Sequence, residues 1–324
     1  MSETLLSTEG HAIAFGPIPS RRLGRSLGIN NIPPKHCSYD CVYCQVGGTP
    51  RTEAIRRVFY EPEDVIAAVE AKVASCRASG EAIEYLSFVP DGEPTLDVNL
   101  GREIAGVKKL GIPVAVITNG SLLWMPEVRA DLALADLVSI EVDSISTAAW
   151  RRVNRAFRGL DVDAIRRGVI EFSRHYRGRL VTQTMLIAGV NDDEKAAYEL
   201  AAFLGELAPT KAYLAVPTRP PADRRVRPAD DEAIVRAHAI LSQRVAVELL
   251  VSHEQGSFGR TGDPIEDLMA IVAVHPMRAD AVAQYLDDAG AAAYLIADLI
   301  SQRKLVRVTY NGHDYLTRPV SASG

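Results

Sequence analysis

From residue 61 onward, short apolar segments alternate with longer segments of helical periodicity. The apolar segments have the length of buried strands, and there are six of them: Ile83–Val89, Val114–Thr118, Leu137–Val142, Leu180–Ile187, Ala212–Val216 and Val245–Val251. Helical patterns separate most of these strands, near residues 99–110, 126–134, 161–176, 192–206 and 229–243. This alternation predicts βαβ units and a mainly parallel α/β sheet, which right-handed crossovers would curl into a full or partial barrel.

The segment 137–143 differs from an ordinary buried parallel strand, which is apolar on both faces. Its period of two places Ser139, Glu141 and Asp143 on one face. The alternate positions are valine or isoleucine and are expected to pack against helices. Three polar groups that point into a barrel need partners. A polar cofactor would supply them, and hydrogen bonding among the three side chains is the alternative.

The two ends of the chain differ from this repeating pattern. Residues 1–20 end in Gly16-Pro17-Ile18-Pro19 and are predicted to be irregular, within an N-terminal extension over residues 1–24. The barrel is predicted over 25–253 and a glycine-bearing linker over 254–263. Three helices and a hairpin follow, and they resemble a winged helix over 264–320: Pro264–Val274, Arg278–Ala289, Ala291–Arg303, Leu305–Tyr310 and Asp314–Thr317. This domain is acidic, which favours protein contact or a lid over duplex binding.

Composition fits a globular chain, with 47% hydrophobic and 24% charged residues and a net charge of -5. No apolar run is long enough to span a bilayer, and the N-terminus lacks a secretory pattern. We therefore expect a cytoplasmic protein with no membrane partner. Arginines are concentrated in two runs: Arg151, Arg152, Arg155 and Arg158, then Arg219, Arg224, Arg225 and Arg227. These runs form either solvated ion pairs or a site for an anionic substrate.

Three of the four cysteines fall within eight positions, spaced C-x3-C-x2-C. Three thiolates from one short loop can bind three irons of a four-iron cluster and leave the fourth iron open to a ligand. Zinc and unrelated thiols are the alternatives, although a structural zinc site usually needs four ligands. A disulfide would leave one thiol over. The fourth cysteine, Cys76, follows Val65, Val69 and Val73 on a helical face and is expected to be buried.

This spacing, with Tyr43 before the last cysteine, resembles the signature of the radical S-adenosylmethionine (SAM) enzymes. Over about residues 15–255 the order of later segments is also similar: Asp91-Gly92-Glu93, the polar strand, a glycine turn after Ile187, and Pro217-Thr218-Arg219-Pro220-Pro221. Asp91 departs from the family's Gly-Gly-Glu pattern. The stretches Gly16–Gly28 and Pro217–Pro221 look most like the wybutosine-type tRNA enzymes. Those enzymes hold a second cluster on additional N-terminal cysteines, which this chain lacks.

The resemblance implies a partial (β/α)6 TIM-like barrel with its site at the C-terminal ends of the strands. It implies one [4Fe-4S] cluster on Cys37, Cys41 and Cys44, whose open iron binds S-adenosyl-L-methionine. Together with the polar strand ends, it predicts these cofactor contacts: Gly92, Glu93, Asn119, Ser139, Glu141, Asp143, Val190 and Val216. Asn191 is predicted instead to cap a helix, with Glu194 completing a capping box.

The predicted function is cleavage of SAM to methionine and a 5′-deoxyadenosyl radical that abstracts hydrogen from a substrate. A tRNA base, a protein and an anionic metabolite all remain open as substrates. The implied partner is an electron donor such as flavodoxin or ferredoxin. The alternative is a non-catalytic Fe–S redox-sensing regulator whose winged helix binds DNA or a protein partner.

Overall fold

The computed structural model describes residues 12–251, 263–292 and 294–319. Within these ranges a helix-covered sheet precedes a smaller C-terminal unit. No helix in the described ranges is both long and apolar enough to cross a membrane. The predicted linker 254–263 lies outside the described residues except for its last position.

In the part of the chain that the structure describes, eight strands form one sheet in chain order. The first pair is antiparallel and every later pair is parallel. The strands are β1 (Ala14–Ser20), β2 (Gly24–Ile29), β3 (Tyr85–Phe88), β4 (Val114–Thr118), β5 (Leu137–Glu141), β6 (Arg179–Met185), β7 (Lys211–Ala215) and β8 (Val247–Leu250). The predicted α/β fold is confirmed, and the C-terminal ends of β2 to β8 share one edge.

Between residues 12 and 251, seven α-helices cover the sheet and pack on its apolar outer positions. They are α1 (Pro62–Ala78), α2 (Leu100–Val107), α3 (Pro126–Leu132), α4 (Thr147–Asn154), α5 (Val162–His175), α6 (Glu194–Leu207) and α7 (Asp231–Leu241). Short 3-10 helices span Pro94–Leu96 and Lys108–Leu110. Helix α4 was not predicted from the sequence.

Helix α1 shows how local sequence sets these elements. Pro62 occupies its first turn, and Glu63 and Asp64 complement the positive end of the helix. Its buried face holds Val65, Val69, Val73 and Cys76. Cys76 is fully buried, so the prediction that it is a core residue is confirmed.

The prediction of an irregular segment before residue 20 is wrong for Ala14–Ser20, which form β1. Both Pro17 and Pro19 lie in this strand, and the pairing register shifts between Phe15 and Ile18. Proline removes a ladder donor and is tolerated on an edge strand or at a bulge. Among the described residues the strand has one neighbour in the sheet, β2, which explains why its sequence is unlike that of an inner strand.

The turn between β1 and β2 lies across the opening between the two edges of the sheet. Arg21 Nη1 donates to the carbonyl of Leu250, at the end of β8, over 2.7 Å. Leu23 is buried in a cluster with Leu250 and Tyr213. This turn therefore fills the interior on the side where β1 and β8 are not paired.

The C-terminal unit has the predicted three helices and hairpin plus one short strand. Its elements are α8 (Pro264–Val274), β9 (Met277–Arg278), α9 (Ala279–Asp288), α10 (Tyr294–Ser301), β10 (Val306–Tyr310) and β11 (His313–Thr317). The three strands form an antiparallel sheet over a separate apolar core. The likeness to a winged helix and the domain boundaries stay predictions.

The C-terminal unit packs on the barrel through defined polar contacts. The phenol of Tyr310 donates to the carbonyl of Pro217 over 3.0 Å, and that of Tyr315 to the carbonyl of Thr218 over 2.7 Å. Lys72 on α1 pairs with Asp267 on α8 at 2.7 Å. The hairpin is thus fixed against the segment that follows β7.

Candidate active site

A cavity of about 320 Å³ lies at the C-terminal ends of the parallel strands. The loop after β2 forms part of its wall, because Cys37, Cys41 and Cys44 all line it. The segments that follow β3, β4 and β7 contribute further lining residues: Gly92, Glu93, Asn119 and Val216. Segments far apart in sequence therefore meet at the edge where the barrel topology predicts a site.

Two asparagine side chains contact the cysteine sulfurs. Asn119 Nδ2 lies 3.6 Å from Cys37 Sγ, and Asn154 Nδ2 lies 3.5 Å from Cys41 Sγ. Amide donors of this kind stabilise a thiolate and influence the potential of an iron–sulfur cluster that the thiolate binds. Two of the three cysteine sulfurs therefore have an amide donor beside them.

The cysteine loop is held by the end of α4. The backbone N–H of Asp40 donates to the carbonyl of Asn154 over 2.9 Å, and that of Val42 to the carbonyl of Val153 over 2.9 Å. Trp150 Nε1 donates to the hydroxyl of Tyr39 over 3.2 Å. An eight-residue helix absent from the sequence prediction thus positions the loop.

Asp143 also supports the loop, from beneath it. Its Oδ2 accepts from the Tyr43 hydroxyl and from Asn154 Nδ2, each over 2.6 Å. Its Oδ1 accepts from the backbone N–H of Met185 over 2.9 Å. The carboxylate is buried and both oxygens accept hydrogen bonds within the chain, so Asp143 joins the loop to β6.

Gly92 makes the turn after β3 fit against the cysteine loop. A Cβ at this position would lie 2.1 Å from the carbonyl oxygen of His36, the residue before Cys37. That oxygen accepts from the backbone N–H of Glu93 over 2.9 Å. Only glycine allows the two backbones to approach this closely.

The Glu93 carboxylate is the centre of the same turn. Its Oε1 accepts from the Thr118 hydroxyl over 2.6 Å and from the hydroxyl and N–H of Thr95, while Oε2 accepts from the N–H of Asn119 over 2.8 Å. Asp91, next to this turn, pairs with Lys35 at 3.0 Å. Glu93 therefore links the turns after β3 and β4 at the cavity wall.

The polar face of β5 meets an arginine that enters the barrel from the β1–β2 turn. Arg22 Nη1 donates to Ser139 Oγ over 2.9 Å and lies 3.7 Å from Glu141 Oε1. Gln183 Nε2 also contacts the Glu141 carboxylate, at 3.1 Å. Burial, opposed by Arg22, raises the pKa of Glu141 to about 8.

A basic group forms another part of the cavity wall. Arg21 belongs to the β1–β2 turn, Arg219 follows β7, and His275 follows α8 in the C-terminal unit; all three line the cavity. Arg219 Nη1 donates to Gln45 Oε1 over 2.6 Å. The C-terminal unit thus contributes directly to the cavity.

Comparison with known proteins identifies the family. The model of the radical SAM superfamily matches residues 31–201, more than half of the chain. The chain belongs to the radical SAM superfamily. A radical SAM methyltransferase from Sphaerobacter thermophilus shares the fold at 16% identity, with a TM-score of 0.53 over 76% of this chain and 72% of that chain. The predicted family, its TIM-like fold and its enzymatic nature are confirmed.

Two further similarities extend over most of the chain. UPF0026 protein MJ1312 of Methanocaldococcus jannaschii is 41% identical over 313 residues, which are 96% of this chain and 97% of that protein. A solved structure of TYW1 with a lysine-pyruvate adduct bound is 15% identical, with a TM-score of 0.44 over 91% of this chain and 80% of that chain.

The donor set of the cysteine loop fits the iron–sulfur cluster that the radical SAM superfamily implies. Thiolates are the ligands that such clusters take, and two of the sulfurs have amide donors beside them. In the described ranges, no three histidine, cysteine, aspartate or glutamate side chains are placed to hold a single metal ion. A cluster does not require this, because each thiolate binds a different iron.

The predicted cofactor contacts of this radical SAM enzyme fall into two groups. Those that line the cavity beside the cysteines are Gly92, Glu93, Asn119, Glu141 and Val216. Those outside that lining are Ser139, Asp143 and Val190. Ser139 bonds to Arg22, Asp143 supports the loop, and Val190 packs in a cluster with Val42 and Ile187. Their prediction as cofactor contacts gains no support from this placement.

The predicted cap of helix α6 is wrong. Asp193 is the N-cap, because its Oδ1 accepts from the N–H of Ala196 over 2.8 Å. Asn191 instead donates through Nδ2 to the carbonyls of Asp143 and Met185, over 2.7 and 2.8 Å. Its side chain therefore fixes the ends of two strands rather than the helix.

Three residues at the site had no assigned function in the sequence analysis: Asn154, Gln183 and His275. Nothing in the sequence around Arg22 indicated its partners on β5, Ser139 and Glu141. Of the eight arginines in the two predicted basic runs, all of which the structure describes, Arg219 alone lines the cavity.

Proposed function

We propose that this enzyme uses a single [4Fe-4S] cluster on Cys37, Cys41 and Cys44 and binds SAM in the adjoining cavity. When bound and reduced, the cluster with SAM supplies methionine and a 5′-deoxyadenosyl radical, which abstracts hydrogen from a substrate. The observation that carries the proposal is the meeting of the three cysteines with the Gly92–Glu93 turn and Asn119 at one cavity.

The number of cysteines supports a single cluster. The chain has four cysteines, and the fourth, Cys76, is buried in the apolar face of α1. Burial raises the pKa of its thiol to about 11, as expected for an inert core cysteine. A second cluster with its own cysteine ligands therefore has no ligands in this chain.

The protein's own residues have three functions in this proposal. Asn119 and Asn154 donate to sulfur, while Asp143 and the end of α4 hold the loop in position. Glu93 and Gly92 shape the wall where the resemblance implies binding of the methionyl group. Residues of the barrel and His275 of the C-terminal unit together line the cavity, and such walls limit the access of water to a reactive intermediate.

The substrate class is proposed as a tRNA base, a protein or an anionic metabolite. We further propose a cytoplasmic enzyme that receives electrons from a donor such as flavodoxin or ferredoxin. Radical SAM enzymes are catalysts, so the non-catalytic regulator is not retained. The contacts of Tyr310 and Tyr315 with the segment after β7 favour a lid function for the C-terminal unit over a separate binding function.

Anaerobic reconstitution with iron and sulfide, followed by dithionite and SAM, tests the proposal. We expect about four irons per chain and production of 5′-deoxyadenosine. Cys41→Ala should abolish that production because one iron loses its thiolate. Cys76→Ala is the matched control and should retain both cluster and activity. Full activity of Cys41→Ala would contradict the assignment, as would a requirement for Cys76.

A further inference from the structure

Seven exposed arginines outside the cavity form a surface that we call the arginine face. They are the members of the two arginine runs other than Arg219: Arg151, Arg152, Arg155 and Arg158 on and after α4, and Arg224, Arg225 and Arg227 in the segment before α7. Because none of the seven lines the cavity, a small molecule inside the cavity does not contact them. The face is instead open to a larger partner that approaches from solvent.

Ion pairs bring the two runs together in space. Asp223 Oδ2 pairs with Arg155 Nη2 and lies 2.8 Å from Arg225 Nη2. Arg155 and Asp223 are 68 residues apart in the sequence. The end of α4 and the segment before α7 therefore form one continuous surface around a shared carboxylate.

The arginine face adjoins the cysteine loop. The backbone N–H of Val42 donates to a carbonyl at the end of α4, and its carbonyl accepts from the N–H of Asp223, each over 2.9 Å. Val42 directly follows Cys41. On the other side of Cys41, the Asp40 carboxylate lies 3.6 Å from Arg155 Nη1. A partner bound to the face would therefore lie next to the loop that is proposed to hold the cluster.

The carboxylates within the face do not neutralise its arginines. Arg155 and Arg225 share the Asp223 carboxylate. Arg152 and Arg227 donate to backbone carbonyls, which carry no net charge. The other three arginines of the face form no ion pair with a described carboxylate. The face therefore carries an excess of positive charge, which attracts an acidic partner.

The side chains of the face favour an acidic protein over RNA. Sites for single-stranded RNA combine cations with exposed aromatic rings on which bases stack. None of the exposed large hydrophobic side chains in the described residues belongs to the two arginine runs. Phe157, which lies within the first run, is partly buried against the barrel core. Electron-transfer complexes, in contrast, are small and weak, and complementary charge guides the encounter of their partners.

We propose that the arginine face binds a small acidic electron-donor protein and places its redox centre next to the cysteine loop. Carboxylates of the donor would contact the guanidinium groups, and one electron would pass from the reduced donor to the oxidised cluster. Complementary charge raises the rate of such an encounter about 10- to 1,000-fold, and salt weakens the effect. This inference rests on the proposed function, to which it adds the docking surface and the charge of the donor.

The test compares two triple charge reversals of the full-length reconstituted protein. The first reverses the arginines of the face that form no ion pair: Arg151→Glu, Arg158→Glu and Arg224→Glu. Because no described carboxylate depends on these side chains, the cysteine loop should keep its position. The control makes the same change in net charge at exposed positions on or after α5 and after α7: Arg174→Glu, Arg177→Glu and Arg244→Glu. These helices end where β6 and β8 begin, at the edge of the barrel opposite the cysteine loop.

The probe is an acidic flavodoxin at low ionic strength. Isothermal titration calorimetry measures the Kd of the oxidised flavodoxin, and anaerobic absorbance follows reduction of the cluster by its reduced form. We expect the Kd to rise, and the reduction rate to fall, about tenfold or more in the face variant but at most about twofold in the control. Formation of 5′-deoxyadenosine with saturating dithionite should stay within about twofold of wild type in both variants, because a small reductant needs no docking surface.

Several results would overturn the proposal. An unchanged Kd in the face variant would do so, and equal weakening in both variants would show an effect of net charge alone. Loss of binding to a fluorescein-labelled tRNA in the face variant, with flavodoxin binding unchanged, would assign the face to RNA. Loss of the dithionite-driven rate in the face variant would show that these arginines act on the site itself. Absence of 5′-deoxyadenosine in the wild type with dithionite would instead refute the proposed function, whereas the flavodoxin Kd would still test the face.

Discussion

Gly92→Ala tests whether the turn after β3 positions the cysteine loop. The added Cβ would lie 2.1 Å from the carbonyl oxygen of His36 and 2.9 Å from Ile32 Cδ1. The isoleucine can rotate, but the His36 oxygen is backbone and belongs to the residue next to Cys37. The substitution therefore acts directly on the backbone next to Cys37, the first of the three proposed ligands.

The size of the perturbation follows from this distance. Ordinary contact begins at 3.4 Å, so the His36 oxygen has to move from 2.1 to 3.4 Å, a shift of about 1.3 Å. Overpacking of this kind costs about 1–3 kcal/mol of stability. A displacement of about 1 Å at a reacting centre lowers the rate about 100-fold. We expect a folded variant with severely reduced SAM cleavage.

The assay combines three measurements on anaerobically reconstituted protein: iron per chain, the rate of 5′-deoxyadenosine formation and the urea unfolding midpoint. Gly48→Ala is the control, because its Cβ would meet only Asp40 Oδ1, at an ordinary 3.4 Å. This control lies four residues after Cys44, in the same loop region. Wild-type iron content together with a wild-type rate in Gly92→Ala would refute the role assigned to this turn.

Two further predictions concern stability. Tyr43→Phe removes the 2.6 Å hydrogen bond to the Asp143 carboxylate and should lower the free energy of unfolding by about 1.5–3 kcal/mol; an unchanged urea midpoint would contradict it. Burial, followed by the charge of Asp97, raises the pKa of Glu103 from 4.5 to about 9. The contribution of Glu103 to the free energy of unfolding is therefore lost as pH rises through that interval. Between about pH 5.5 and pH 8, the wild type should lose about 3 kcal/mol more than Glu103→Gln. Parallel curves would be the contrary result.

The elements that were predicted correctly are those that depend on residues close together in the sequence. The predicted strand Val114–Thr118 has the bounds found in the structure, and the predicted run Ile83–Val89 contains β3 at Tyr85–Phe88. Such runs are visible because a buried parallel strand needs apolar side chains on both faces. The polar face of β5 was predicted from the alternation of polar and apolar residues, and this pattern too depends only on residues close together in the sequence.

The wrong or missing predictions concern features that patterns of neighbouring residues do not show. Strand β1 contains prolines that an inner strand excludes, and its place at the sheet edge became apparent only from its pairing with β2. Helix α4 is eight residues long and buries only Trp150, Val153 and Asn154. Its apolar face is too short to be recognised as helical from the sequence. Asp193 rather than Asn191 caps α6, because the Asn191 side chain donates hydrogen bonds to carbonyls at the ends of two strands.

The cysteine motif and the residues that position it lie in different parts of the sequence. In the described structure no helix or strand lies between Ile29 and Pro62, so no regular element within the loop positions its sulfurs. Its supports are distant: Asn154 is 113 residues from Cys41, and Asp143 is 100 residues from Tyr43. The spacing identifies the three proposed ligands, whereas α4, the segment after β5 and the Gly92 turn set where these cysteines lie. It follows that substitutions at Gly92 or Asp143, outside the motif, should impair the cluster site while leaving all three cysteines in place.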